Sequence, residues 1–227
     1  MTVKVLTIRA DVLGANKEKA KRNKDRLDKH RVLAINVMSS PGAGKTSLIM
    51  QTINRLMPKT RIAVIEGDIA SRIDADKIHQ QQGVPVIQVN IPGGCHLDAN
   101  MIEVALNSLT LEEIDLLLIE NVGNLVCPAE FDLGEHKKVM LLSAPEGDDK
   151  PYKYPLMFTE ADVLLLNKID LLPYTDFNIT AFIQSVTGLN ASVKIFQVSC
   201  KNGEGLELWY SWIHAEVKRL KDTAVRR

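Results

Sequence analysis

Seven apolar segments, several of them continuous rather than alternating, recur along the chain with helical patterns between them. The segments are Val32–Met38, Arg61–Ile65, Val84–Val89, Ile114–Ile119, Lys138–Leu142, Val163–Leu166 and Val193–Val198. Helical patterns fall near Thr46–Leu56, Leu97–Leu109, Asp176–Val186 and Gly205–Lys221. Continuous apolar strands belong to parallel sheets covered on both faces, and strand–helix alternation means βαβ units. The expectation is an α/β fold with a mostly parallel sheet of about seven strands flanked by helices. With 227 residues, 45% hydrophobic and 25% charged, and no internal repeat or Pro/Gly-rich linker, the chain reads as one domain.

Lys+Arg 28 balances Asp+Glu 28, so no global basicity argues for nucleic acid. One run is lopsided. Lys17–Arg31 (KEKAKRNKDRLDKHR) carries eight basic residues against three acidic ones and reads as the solvated face of an N-terminal helix. The tail is basic through Lys218, Arg219, Lys221, Arg226 and Arg227, and its last residues are expected to fray. No signal peptide or apolar stretch near membrane-span length is present, which favours a soluble, cytoplasmic protein with no membrane contact. The three cysteines, Cys95, Cys127 and Cys200, are too few for a disulfide framework and read as free thiols or metal ligands.

Directly after the first apolar segment stands Ser39-Ser40-Pro41-Gly42-Ala43-Gly44-Lys45-Thr46-Ser47. This is the frame G-x-x-x-x-G-K-[ST] of a phosphate-gripping loop, with serine in place of the first glycine. A strand before it and a helix after it supply the context that the motif requires. Gly42 and Gly44 permit positive φ, so the backbone from Gly42 through Ala43 to Ser47 can turn its N–H groups toward phosphate oxygens at a helix N-terminus. Lys45 reaches the β/γ-phosphates and the Thr46 hydroxyl can hold Mg²⁺. Ser39 is small enough to take the local conformation at modest cost.

Asn167-Lys168-Ile169-Asp170 follows the apolar run VLLL. A carboxylate at Asp170 accepts hydrogen bonds from the N1–H and exocyclic amine of guanine, where adenine offers no donor. The Lys168 stem can lie along the base and Asn167 can tie this loop to the phosphate loop. Ser199-Cys200-Lys201, after VKIFQV, would bring backbone N–H groups to guanine O6, with the Cys200 thiol itself packed rather than ligating. These features point to GTP.

Glu120 ends the segment Ile114–Ile119 and faces Mg²⁺ and the γ-phosphate, where GTPases commonly use the aspartate of D-x-x-G. Lys45, Thr46 and Glu120 are the expected catalytic set. Asp68 is a second candidate Mg²⁺ ligand, or else a helix N-cap before Ile69. Asn124 stands where glutamine orients water in other GTPases, and no arginine finger can be assigned, so slow intrinsic hydrolysis is expected.

Pro92-Gly93-Gly94-Cys95-His96 introduces a helix, and Cys127-Pro128 lies just beyond Gly123. A thiolate near a helix N-terminus has a lowered pKa and ligates metal better. Two thiolates and one imidazole make an incomplete tetrahedral set, which a two-fold dimer would pool into four sulfurs and two imidazoles. Ligand type permits Ni²⁺ or Zn²⁺.

Together SSPGAGKT, EGDIAS, PGGCHLDANM, ENVGNLVCP, NKIDLLPY and SCKNGEG resemble the hydrogenase nickel-incorporation GTPases, the HypB family of metallochaperone P-loop GTPases. The resemblance runs through nearly the whole chain from about Val32. It implies a dimerising GTPase, converting GTP to GDP and phosphate, that helps deliver nickel to the large subunit of nickel–iron hydrogenase. It also implies an accessory nickel-binding maturation protein as partner, and metal binding at Cys95, His96 and Cys127. Serine at the position of Ser39 is tolerated in that family. Some members carry an N-terminal cysteine motif or histidine-rich tract. Met1–His30 has no cysteine and only His30, so the resemblance does not extend to an N-terminal nickel site. The alternatives are a urease-serving metallochaperone GTPase, an ATP-dependent small-molecule kinase, and a binding module with a vestigial nucleotide site. The Cys/His arrangement, Asp170, and the intact Lys45 and Thr46 argue respectively against them.

Overall fold

The computed structural model describes residues 8–57, 59–68, 78 and 83–223. Helix α1 (Ile8–His30) leads into β1 (Leu33–Ser39), and α2 (Lys45–Leu56) follows the glycine-rich loop. Then come β2 (Ile62–Asp68), β3 (Val86–Asn90), α3 (Ala99–Asn107), β4 (Leu116–Glu120) and the short α4 (Cys127–Glu130). The chain continues through β5 (Lys137–Ser143), α5 (Lys150–Lys153), α6 (Pro155–Glu160), β6 (Val163–Asn167), α7 (Ile179–Leu189), β7 (Lys194–Gln197) and α8 (Leu206–Thr223). All seven expected strands form, in one sheet ordered β3-β2-β4-β1-β5-β6-β7, and every pairing is parallel. Among the described residues no helix is long and apolar enough to cross a membrane.

Every residue of β1 is buried, because helices cover both faces of the sheet. Leu33, Ile35 and Val37 pack with Ile49 and Ile53 of α2 and with Trp209 and Ile213 of α8. Ala34 packs on the opposite face with Leu27, Ile102 and Leu106. Side chains alternate along a strand, so one strand feeds two cores. The registers Val37↔Glu120, Glu66↔Glu120 and Ser143↔Asn167 line up the strand ends along one edge. The chain runs from β1 to one side of the sheet and returns to β5 on the other. The crevice above β1 is therefore the switch point at which α/β sheets hold ligands.

Several boundaries differ from expectation, each for a local reason. Helix α3 starts at Ala99 because the Asp98 carboxylate caps it, accepting from the Met101 N–H at 2.8 Å. Helix α7 starts at Ile179 because Asn178 caps it, accepting from Ala181 N–H at 3.0 Å. The N-terminal helix begins by Ile8, well before Lys17, and ends ahead of Arg31, whose φ is 59°. It is not simply a solvated face. Asn16, Ala20, Asn23 and Leu27 form a buried stripe, while Lys19 pairs with Glu103 at 3.1 Å and Arg26 donates to Asn107 and the Leu106 carbonyl. The expected fraying of the tail and the placement of Arg226 and Arg227 fall outside the described residues.

Exposed ion pairs contribute at most about 1 kcal/mol each, so the docking of α1 depends on its buried stripe. Leu27 is fully buried, and Leu27→Ala should destabilise the protein by about 2–5 kcal/mol in urea titrations. Lys21→Ala, at an exposed position, should stay within about 0.5 kcal/mol. Equal, small effects would show that the helix does not dock.

Candidate functional site

Two pockets open side by side at the C-terminal edge of the strands. One, about 480 Å³, is lined by Gly42, Lys45, Thr46, Glu66, Asp68 and Glu120. The other, about 240 Å³, is lined by Asn167, Lys168, Asp170, Cys200 and Lys201. Gly44 and Ser47 border both, so the glycine-rich loop is the divide between them.

Gly42 and Gly44 take φ of 75° and 106°, the left-handed conformations that favour glycine. Ser39, by contrast, is the last residue of β1 and has no such requirement, which is why serine fits there. Its hydroxyl accepts from the Lys45 ammonium at 3.1 Å. Ser40 is held by the Glu146 carboxylate, a contact the sequence did not suggest.

On the 240 Å³ side, Asn167 joins the loops as expected. Its amide donates to the Ala43 carbonyl at 2.9 Å, and Lys168 donates to the Gly42 carbonyl at 2.7 Å. The Ser199 hydroxyl donates to Asp170 at 2.6 Å and so aims the carboxylate. The Cys200 N–H is committed to the Asn167 side chain at 3.1 Å, and the Lys201 N–H leans on Ser199 at 3.3 Å. Ser199-Cys200-Lys201 therefore orients Asn167 and Asp170 in this state instead of presenting a row of outward N–H groups. Burial pushes the Cys200 thiol up to about 12, consistent with a packed, protonated sulfur.

On the 480 Å³ side, Thr46 donates to Glu120 at 2.9 Å. Glu66, which sequence reasoning passed over, is buried on β2 directly across from Glu120, with Asp68 at the strand end. Its signal was the run Glu66-Gly67-Asp68. Thr46, Glu66, Asp68 and Glu120 thus line one pocket, whose wall is rich in oxygen atoms. Whether Asp68 also caps a helix at Ile69 falls outside the described residues.

The loop after β4 runs along both this cleft and a second constellation. Gly123 lies so close to Pro41 that a Cβ would come within 2.9 Å of its backbone nitrogen. The Asn124 N–H donates to the Ser39 carbonyl at 2.8 Å and its side chain reaches the Cys95 carbonyl at 3.4 Å. Three residues later stands Cys127, whose sulfur is 2.9 Å from that of Cys95, with His96 Nδ1 3.4 Å from Cys95. The donor atoms of Cys95, His96 and Cys127 all lie within 4.8 Å of one another, a set able to hold a metal ion. His96 stacks on Phe131 at 3.9 Å, and burial lowers its pKa, which keeps the imidazole neutral for ligation. The expected lowering does not occur at Cys95. Its hydrogen bond with Cys127, then burial, push the thiol upward, because it lies ahead of α3 and faces a second thiol.

Residues 33–197 match the family model described as CobW/HypB/UreG, nucleotide-binding domain. The hydrogenase maturation factor HypB of Escherichia coli (strain K12) is 46% identical over 213 residues, covering 94% of this chain and 73% of that one. The chain belongs to the HypB family. Among solved structures, HypB from Archaeoglobus fulgidus is 35% identical with a TM-score of 0.84, covering 90% of this chain and 99% of that chain. HypB from Helicobacter pylori in complex with nickel is 36% identical with a TM-score of 0.86, covering 90% and 96%.

Beneath this site a buried polar chain runs from Leu97 N–H to Asn121, Asn36 and Glu135. Burial, reinforced by the nearby Asp132, pushes the Glu135 carboxyl up from 4.5 to about 7. An acid whose folded pKa is raised binds its proton more tightly when folded. Its stabilisation is present below about 4.5 and lost as pH rises to about 7. Stability should fall across that window in denaturant titrations, and Glu135→Gln should flatten the fall. An unchanged slope in the variant would assign the pH dependence elsewhere.

Proposed function

We propose that this chain is a GTP-hydrolysing nickel chaperone of hydrogenase maturation, formed as a single GTPase domain. The carrying observation is the loop Asn121–Cys127, which touches the phosphate loop at one end and contributes a metal donor at the other. A nucleotide switch and a cargo site share one short piece of backbone.

In this reading guanine occupies the pocket with Asp170, held there by Ser199, while Asn167 and Lys168 brace the phosphate loop. Backbone N–H groups from Gly42 through Ser47 cradle the phosphates. Lys45 exchanges its Ser39 contact for the β/γ-phosphate oxygens. Thr46, Glu120 and Asp68 would hold Mg²⁺, with Glu66 lining the same pocket; the ion would supply neutralising charge on the phosphates. Asn124 is committed to Cys95 and to the Val126 N–H, so it does not serve as a water-orienting residue, in keeping with slow hydrolysis.

Nickel is the cargo, taken by Cys95, His96 and Cys127; zinc is compatible with the same donors. Three donors from one chain leave coordination to be completed across a two-fold dimer. The triphosphate form assembles this shared site, and hydrolysis loosens it so that nickel passes on. The recipient is the hydrogenase large subunit, with an accessory nickel-binding maturation protein as co-partner.

Two measurements test the nucleotide half. Wild-type protein should bind GTP well above ATP, and Asp170→Ala should lose that preference at a cost of about 2–4 kcal/mol in GTP binding. Lys45→Ala should abolish GTP turnover, since charge developing on the phosphoryl oxygens loses its main side-chain partner. Equal wild-type affinity for the two nucleotides, or unimpaired turnover by Lys45→Ala, would overturn the reading.

A further inference from the structure

Asn16 and Asn23 lie two helical turns apart on the buried stripe of α1, and neither touches the nucleotide cleft. Each bridges the start of α3 and the segment at 132–133. Asn16 accepts from the Ala99 N–H at 2.8 Å and donates to the Asp132 carbonyl at 2.7 Å. Asn23 donates to the Ala99 carbonyl at 2.8 Å and to the Leu133 carbonyl at 3.0 Å. Both polar groups of Ala99 are thus held by α1 and tied from there to the backbone at 132–133. Ala99 closely follows Cys95 and His96, and Asp132 and Leu133 follow Cys127. The fit is tight, since a Cβ on Gly134 would come within 2.4 Å of the Ala20 carbonyl oxygen.

We propose that Asn16 and Asn23 are positioning residues for the metal donors. They fix the separation of the Cys95–His96 loop from the Cys127 loop and thereby set metal affinity. The proposal rests on the reading of those three residues as the nickel site. Donors already in place bind more tightly than donors that must be ordered on binding.

The test is Ni²⁺ titration of the full chain, followed by the thiolate-to-nickel charge-transfer absorption that reports donor geometry. Asn16→Asp keeps the acceptor for Ala99 and replaces the donor to Asp132 with an oxygen at nearly unchanged volume. It should lower Ni²⁺ affinity by about 3–10-fold and alter the charge-transfer band, with nucleotide affinity within about twofold of wild type. Lys19→Ala removes a half-buried ion pair of the same helix and should leave the band and affinity unchanged. Should Asn16→Asp fail to fold, Asn23→Ser carries the same expectation. A folded asparagine variant with wild-type affinity and band overturns the proposal, as does an equal loss in Lys19→Ala. Cys127→Ala separates the two readings: if it binds nickel like wild type, the site assignment has failed, whereas impairment there with intact Asn16→Asp removes the brace alone.

Discussion

The carboxamide of Asn121 is fully enclosed, and its bonds run in three directions. Its oxygen accepts from the N–H groups of Leu97 and Val122, and its nitrogen donates to Asn36 in the middle of β1. A buried polar group left without its partner costs about 1–3 kcal/mol, so displacing any one of these segments strands the others. The segments are the central strand under the phosphate loop, the loop after β4, and the loop that carries Cys95 and His96. The cleft beside the glycine-rich loop and the Cys95, His96 and Cys127 cluster are anchored to one amide.

Much of this could be read in the sequence because its physical cause is local. A continuous apolar strand running into Gly42-Ala43-Gly44-Lys45 fixes both the parallel sheet and the loop at its edge. Asn167 was expected to join the base loop to the phosphate loop, and its bond to Ala43 does so. The docked face of α1 was hidden because two of its four buried residues, among those described, are asparagines, so no apolar period marked it. Asparagine is disfavoured inside helices, and two of them seven residues apart in a basic run were the available signal. The short helices at Cys127–Glu130, Lys150–Lys153 and Pro155–Glu160 span too few residues to show periodicity. The raised pKa of Cys95 depends on a second thiol 32 residues away and is a tertiary effect.

On the proposed reading, that raised thiol bears on metal capture. Cys95 and Cys127 share a hydrogen bond beside a neutral imidazole. A metal entering this set displaces a proton, which makes capture stronger at higher pH and release easier when the donors separate. Separation is what a rearranged Asn121–Cys127 loop would produce. The same three donors held rigidly would instead form a permanent staple.

The central claim is that phosphate and metal are sensed by one loop, and coupling between them must be reciprocal in free energy. The most direct measurement is the Ni²⁺ affinity and stoichiometry of the protein saturated with GDP and, separately, with a non-hydrolysable GTP analogue. Tighter nickel binding in the triphosphate state, by about 5–150-fold and lost in Cys127→Ala, is the predicted result. Identical affinity and stoichiometry in the two nucleotide states would contradict it and leave a metal that only holds the fold together.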